Sequence, residues 1–148
     1  MVAIIYAIPK TAPVYADVLE KEAVETELST DDQISKAISL VMNGTEPMKG
    51  IMMLREVLKK DADNIKAHLT LGMFSIRSGQ YEKALDRFNT VLAIDSSESE
   101  AYLYLAEVYE KLGQNDLAIE NLEAYKTIVG DTNSLAQVQH IINELKKI

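Results

Sequence analysis

Cysteine is missing from this chain, and histidine occurs only as His68 and His140. Without cysteine the chain forms no disulfide, zinc–thiolate site, iron–sulfur cluster or thiol nucleophile. Neither histidine belongs to an H-E-x-x-H zinc motif, and neither G-x-G-x-x-G nor a phosphate loop with Gly-Lys-Ser/Thr occurs. The sequence therefore predicts a non-catalytic protein with no metal and no cofactor.

Positive charge is scarce relative to negative charge. Lys and Arg total 15 against 23 Asp and Glu, which gives a net charge of -8. Nucleic acid and anionic lipid both bind through basic surfaces, so neither is expected as the main partner. Hydrophobic residues make up 47% of the chain and charged residues 26%, which is enough apolar material for a core.

The apolar run at the N-terminus, M-V-A-I-I-Y-A-I, is short. A bilayer takes about 20 residues to span, and no basic residue precedes this run as in a signal peptide. Residues 1–30 are interpreted either as the end of a membrane anchor plus an acidic linker, or as a native apolar start, with an additional helix over Val14–Leu28 as an alternative to linker. A native start at Met1 implies a cytoplasmic protein. A truncated start implies a membrane-anchored one, with the periplasm as a compartment.

The chain repeats itself with a period of 34 residues. Shifting the sequence by this distance places small residues on small ones and large residues on large ones. The clearest pairs are Ala67–Ala101, Leu71–Leu105, Gly79–Gly113, Ala84–Ala118 and Phe88–Leu122. A weaker earlier copy places Gly50 on Ala84 and Leu54 on Phe88. The pattern predicts three copies, at about 31–64, 65–98 and 99–132.

Each copy divides into two helical stretches joined by a glycine-containing turn. In the middle copy apolar residues recur at helical spacing on both sides of Gly79, which serves the helix C-terminus. The third copy has the same pattern around Gly113. After the third copy, Thr132-Asn133-Ser134 offers N-cap residues. A stripe of Leu135, Val138, Ile142 and Leu145 follows, which predicts a capping helix over about 133–148.

These residues resemble the tetratricopeptide repeat family over roughly Asp31–Asp131. The matching structural positions are Leu71, Gly72, Gly79, Ala84, Phe88, Leu105, Ala106, Gly113, Ala118 and Leu122. The resemblance implies an all-α, right-handed α-α superhelical solenoid of three helix pairs plus the capping helix. It also implies a scaffold that binds another protein. The aromatic residue that usually opens the first helix is replaced by His68 in the middle copy, and we expect His68 to pack between repeats.

The resemblance further implies that the first helix of each pair lines a concave groove. Helical spacing then gives the candidate partner-binding residues, which are Leu69, Thr70, Met73, Ile76, Arg77, Leu103, Tyr104, Glu107 and Lys111. An exposed apolar centre with a charged rim is typical of an interaction surface. Two occupants stay open: a peptide or helix of a partner protein, or the chain's own N-terminal segment or a second copy in a homo-oligomer.

One familiar mode of binding in this family is disfavoured. A subset of its members grips the C-terminal carboxylate of chaperones with lysine, asparagine and arginine. The matching positions here include Glu100 and Tyr104, where a cation is required. Binding of a chaperone tail is therefore not expected.

Overall fold

The computed structural model describes residues 28–147, and within this range the chain forms seven α-helices and no strand. The helices are α1 Thr30–Met42, α2 Pro47–Lys60, α3 Ile65–Arg77, α4 Tyr81–Ile94, α5 Ser99–Lys111, α6 Asn115–Ile128 and α7 Thr132–Leu145. They pack as three consecutive pairs followed by a single helix. The predicted all-α repeat solenoid is confirmed. The predictions for residues 1–27 lie outside the described residues, and Leu28 precedes α1 without being helical.

The two helices of each pair are joined by a turn that contains a glycine with positive φ. The angles are 66° at Gly44, 71° at Gly79 and 71° at Gly113. A side chain is disfavoured in this backbone region, whereas glycine adopts it freely. In all three repeats, therefore, a glycine with positive φ follows the first helix.

Side chains at the start of several helices satisfy backbone N–H groups that have no partner inside the helix. The Oδ1 atom of Asn64 accepts from the N–H of Ala67 at 3.0 Å. The Oδ1 atom of Asp131 accepts from Asn133 and Ser134 at 3.0 and 2.9 Å. The N-cap of α7 is thus Asp131, one residue before the Thr132–Ser134 stretch that the sequence offered. Its carboxylate suits the positive end of the helix dipole.

The core consists of three apolar clusters, each shared by one helix pair and the helix that follows it. The first joins α1, α2 and α3 around Ile34, Leu54 and Phe74. The second joins α3, α4 and α5 around Phe88 and Leu105. The third joins α5, α6 and α7; its buried members are Ala106, Ala118, Leu122, Tyr125, Val138, Ile142 and Leu145. Stacking of neighbouring repeats therefore completes each cluster.

Close approach within each pair depends on small residues. A Cβ atom added at Gly72 would lie 2.5 Å from the ring of Phe88. In the first pair a Cβ atom at Gly50 would lie 2.6 Å from the carbonyl oxygen of Ala37. Ala84 and Ala118 are completely buried on the second helices.

Candidate functional site

The first helices α1, α3 and α5 lie side by side, since α3 contacts both α1 and α5. Together they form one face of the solenoid, which we call the concave face. The nine candidate groove residues all lie on α3 or α5.

Three of the nine candidates are not on the surface. Leu69 and Ile76 are each 9% exposed and belong to the second apolar cluster, against residues of α4 and α5. Thr70 is 6% exposed, and its hydroxyl donates to the carbonyl oxygen of Lys66 at 2.7 Å. The expected exposure of these residues is thus wrong. Helical spacing within one repeat does not show that the following repeat covers this side of α3.

Three further candidates are half-buried. Met73 packs against the first cluster, and Leu103 packs against the third. Tyr104 packs against the second cluster, where its ring stacks on Phe88. These residues therefore show part of their side chains to solvent while they support the contacts between repeats.

The charged candidates Arg77, Glu107 and Lys111 are exposed. The Nη1 atom of Arg77 lies 2.9 Å from the Sδ atom of Met42 on α1. Glu107 and Lys111 lie one turn apart at the C-terminal end of α5. The concave face therefore carries a cation near α1, and carboxylates together with one lysine on α5.

A cavity of about 230 Å³ lies between α5 and α7 on this face. Its lining residues are Leu103, Ala106, Glu107, Glu110, Leu122, Ile141 and Leu145. Ile141 is 41% exposed, which is a large fraction for an isoleucine on a packed helix. We call this cavity the α5–α7 pocket.

Sequence reasoning found Leu103 and Glu107 but missed Ile141. The apolar stripe of the capping helix runs through Val138, Ile142 and Leu145, and these three side chains are buried. Ile141 lies next to that stripe, so the sequence pattern alone does not distinguish it from an ordinary apolar residue of an amphipathic helix. An additional isoleucine beside a complete stripe was the available signal for a second apolar contact.

The rim of the α5–α7 pocket is negatively charged. Within residues 28–147, Glu107 and Glu110 form no ion pair with lysine or arginine. One turn earlier, the hydroxyl of Tyr104 lies 3.5 Å from Oε1 of Glu100. Partial burial, followed by the charge of Glu100, raises the pKa of Tyr104. This end of the concave face therefore favours a cation.

The two histidines differ in their surroundings. His68 is buried, its Nε2 atom lies 2.9 Å from the carbonyl oxygen of Ala62, and its Nδ1 atom lies 3.3 Å from Nη1 of Arg87. His140 is exposed on α7. They lie on separate helices, α3 and α7.

The family model described as tetratricopeptide repeat matches residues 49–102 and 75–139. The chain belongs to the tetratricopeptide repeat family. Proteins of this fold are typical scaffolds for protein–protein interaction, and the family is non-catalytic. No curated protein matches the chain by sequence.

Solved structures show the same fold at low sequence identity. The type III secretion translocator chaperone SycD of Yersinia enterocolitica is 18% identical, with a TM-score of 0.70, over 84% of this chain and 90% of SycD. A crystal structure of MamA is 21% identical, with a TM-score of 0.61, over 90% of this chain and 79% of that one. A double mutant of MamA from RS-1 is 18% identical, with a TM-score of 0.60, over 88% and 83%. Identities this low show the fold alone.

None of the helices within residues 28–147 combines the length and the hydropathy that a membrane-spanning segment requires. The suggested membrane anchor falls on residues 1–8, outside that range.

Proposed function

We propose that this protein is a non-catalytic scaffold that binds a peptide or helix of a partner protein on its concave face. The α5–α7 pocket is the principal contact. The observation that carries the proposal is the pairing of an open apolar cavity with the exposed side chain of Ile141. An apolar side chain of a partner would bury Ile141 and Leu103 together, and such anchors dominate binding at protein interfaces.

The negative charges at the rim of the α5–α7 pocket indicate the charge that a partner segment should carry. Glu107 and Glu110 line the pocket and form no ion pair with a lysine or arginine of residues 28–147. A lysine or arginine placed beside the apolar anchor would pair with them, and such complementarity selects partners and speeds association. The proposed ligand is therefore an amphipathic segment that carries a cation next to an apolar side chain.

The test compares two substitutions of exposed isoleucines. Ile141→Gln removes the apolar wall of the pocket, whereas Ile128→Gln changes an isoleucine of similar exposure (37%) that does not line it. Both variants should retain the wild-type urea midpoint, because surface substitutions usually change stability by about 0.5 kcal/mol or less. Affinity capture from the native organism should lose its bound protein with Ile141→Gln and keep it with Ile128→Gln. Equal capture by both variants would refute the assignment of the pocket.

Self-association is the second candidate, because the same open apolar surface fits a second copy of the chain as well. Sedimentation velocity on the full chain and on a chain without residues 1–27 separates the cases. A dimer that Ile141→Gln dissociates would favour self-association. A monomer in all forms, with capture dependent on Ile141, would favour a partner protein.

A further inference from the structure

A second cavity, of about 140 Å³, lies between the second helices α2 and α4, over the C-terminal half of α3. Its lining residues are Ile51, Arg55, Leu71, Phe74, Ser75, Ser78, Gln80, Lys83, Asp86 and Arg87. We call it the α2–α4 pocket. None of these residues is among the candidates for the concave face, so the pocket is separate from the proposed partner groove.

The next repeat shows why this cavity exists. Shifting by 34 residues places Ser75 on Tyr109 and Ser78 on Leu112. Tyr109 and Leu112 pack against the second apolar cluster. At the junction of the second and third repeats these two side chains therefore fill space that the serines leave open at the first junction. The cavity is a departure from the repeat and not a general consequence of the fold.

The positive charges of the pocket depart from the repeat in the same place. Three cations line it, namely Arg55, Lys83 and Arg87, against the single carboxylate of Asp86. The residues 34 positions later are Asn89, Leu117 and Asn121, none of which is charged. A local excess of positive charge is notable in a chain with a net charge of -8. Within residues 28–147, none of the three cations forms an ion pair with a carboxylate.

Neutral groups hold two of these cations in place. His68 directs Nε2 at the carbonyl oxygen of Ala62, at 2.9 Å, so that nitrogen carries the hydrogen. Its Nδ1 atom then accepts from Nη1 of Arg87, at 3.3 Å. On the other side, Lys83 donates to Oε1 of Gln80, whose amide donates to Ser78 at 2.7 Å. The guanidinium and the ammonium groups are therefore oriented without being neutralised.

We infer that the α2–α4 pocket binds a carboxylate carried beside an apolar side chain, on an acidic segment of a partner protein. Arginine suits a carboxylate because its planar fork forms two parallel hydrogen bonds. The apolar floor, which includes Ile51, Leu71 and Phe74, takes the neighbouring apolar side chain. A small inorganic anion would use the cations and leave this floor in contact with water. The pocket and the concave face would thus select segments of opposite charge.

The test uses two capped peptides, acetyl-Ala-Leu-Glu-Leu-Ala-amide and the same peptide with Gln in place of Glu. Binding to the full-length chain is followed by NMR, through the Nε–H signal of Arg87 and the backbone amide of Ser78. The Glu peptide should give saturable shifts that weaken with added salt. The affinity of the Gln peptide should be lower by about tenfold or more, since this peptide lacks the charge-assisted hydrogen bonds.

Two variants replace a residue of the α2–α4 pocket by the residue found 34 positions later, in the next repeat. Ser78→Leu fills the cavity without changing any charge, and Leu112 shows that leucine fits this helix end, since both residues are the C-cap of their helix. Arg87→Asn copies Asn121. Each should lower the affinity for the Glu peptide about tenfold or more, while the urea midpoint of Ser78→Leu stays at or above that of wild type. Lys146→Asn, which removes an exposed cation at the C-terminal end of α7, should leave the affinity unchanged.

Several results would overturn the inference. Equal binding of the Glu and Gln peptides would show an apolar site with no role for the cations. Unchanged binding by Ser78→Leu would place the peptide outside the cavity. Displacement of the peptide by millimolar inorganic phosphate, with the same NMR shifts, would assign the pocket to a free anion. A further such result is binding of the Glu peptide only after Glu22, Glu25 and Glu27 of the chain are replaced by Gln. That result would assign the α2–α4 pocket to the chain's own acidic segment.

Discussion

The ring of Phe88 on α4 stacks on the ring of Tyr104 on α5, with centroids 5.0 Å apart and 17° between the ring planes. Phe88 is completely buried, and Tyr104 is half-buried at the concave face. Stacked aromatic pairs stabilise a structure beyond the area that they bury. This pair joins the second helix of the middle repeat to the first helix of the next, so it links the core to the proposed binding surface.

We expect Gly72→Ala to destabilise the protein. The new methyl group would meet the ring of Phe88 at 2.5 Å, and that ring is completely buried. Overpacking costs about 1–3 kcal/mol, against about 1 kcal/mol that alanine gains over glycine in a helix. Urea unfolding measures the difference. Gly130→Ala is the control, since nothing lies within 4 Å of a Cβ atom there, and its midpoint should match wild type.

The loss from Gly72→Ala should be partly reversed by Phe88→Leu. The third repeat already combines Ala106 with Leu122 at the equivalent positions, and both are buried. Phe88→Leu alone should destabilise, because it opens space and removes the stacking on Tyr104. A double-mutant cycle should therefore show favourable coupling between the two changes. Simple additivity of the two losses would argue against direct contact as the cause.

Ala84→Leu and Ala118→Leu should each lower the free energy of unfolding by about 1–3 kcal/mol, because added methylene groups at a close helix contact have no space. Both alanines are completely buried, on α4 and α6 respectively. Ala93→Leu is the matched control, since Ala93 is on α4 but exposed. Urea midpoints of all three variants decide the matter. Midpoints equal to wild type at the two buried sites would contradict the packing of the pairs.

The pKa of Tyr104 should fall when Glu100 is replaced by Gln, yet remain above its ordinary value of 10.0. Partial burial is the larger cause of the rise, and the charge of Glu100 comes second. The folded state thus favours the neutral phenol, so this contribution to stability is present below pH 10 and is lost as the pH rises through the raised pKa. NMR titration of Tyr104 in both proteins measures the change. A return to the ordinary value would mean that Glu100, and not burial, is dominant.

The stability of α7 should depend on pH through Asp131. The Ser134 side chain, followed by the backbone N–H groups of Ser134 and Asn133, lowers the pKa of this carboxyl. Since the folded pKa is depressed, the contribution is present above the unfolded pKa of about 3.8 and is lost as the pH falls through the folded value. Asp131→Asn keeps the capping oxygen but not the charge. Urea midpoints should therefore differ between wild type and variant at pH 6 and converge near pH 2.

The sequence predicts much of this fold because its 34-residue repeat shows where each helix pair begins and where the turn between its two helices lies. Gly79 and Gly113 have the positive φ that the pattern of turns implied. Exposure on the concave face was harder to predict. Leu69 and Ile76 are covered by a neighbouring repeat, and that contact depends on how helices pack and not on spacing within one helix. The α2–α4 pocket has a signal in the sequence, since Ser75 and Ser78 are smaller than their counterparts Tyr109 and Leu112 in the next repeat.

The division of the core into three clusters has a consequence for how a disturbance spreads. Each cluster is shared only by adjacent repeats, so a local opening at α7 breaks contacts of the third cluster and leaves the first intact. Amide hydrogen exchange should accordingly be slowest in α3 to α5, where the second cluster has neighbours on both sides, and faster in α1 and α7. The α5–α7 pocket lies against the third cluster. A partner seated there would bury apolar surface of that cluster, and it should slow exchange in α5 to α7 more than in α1 and α2.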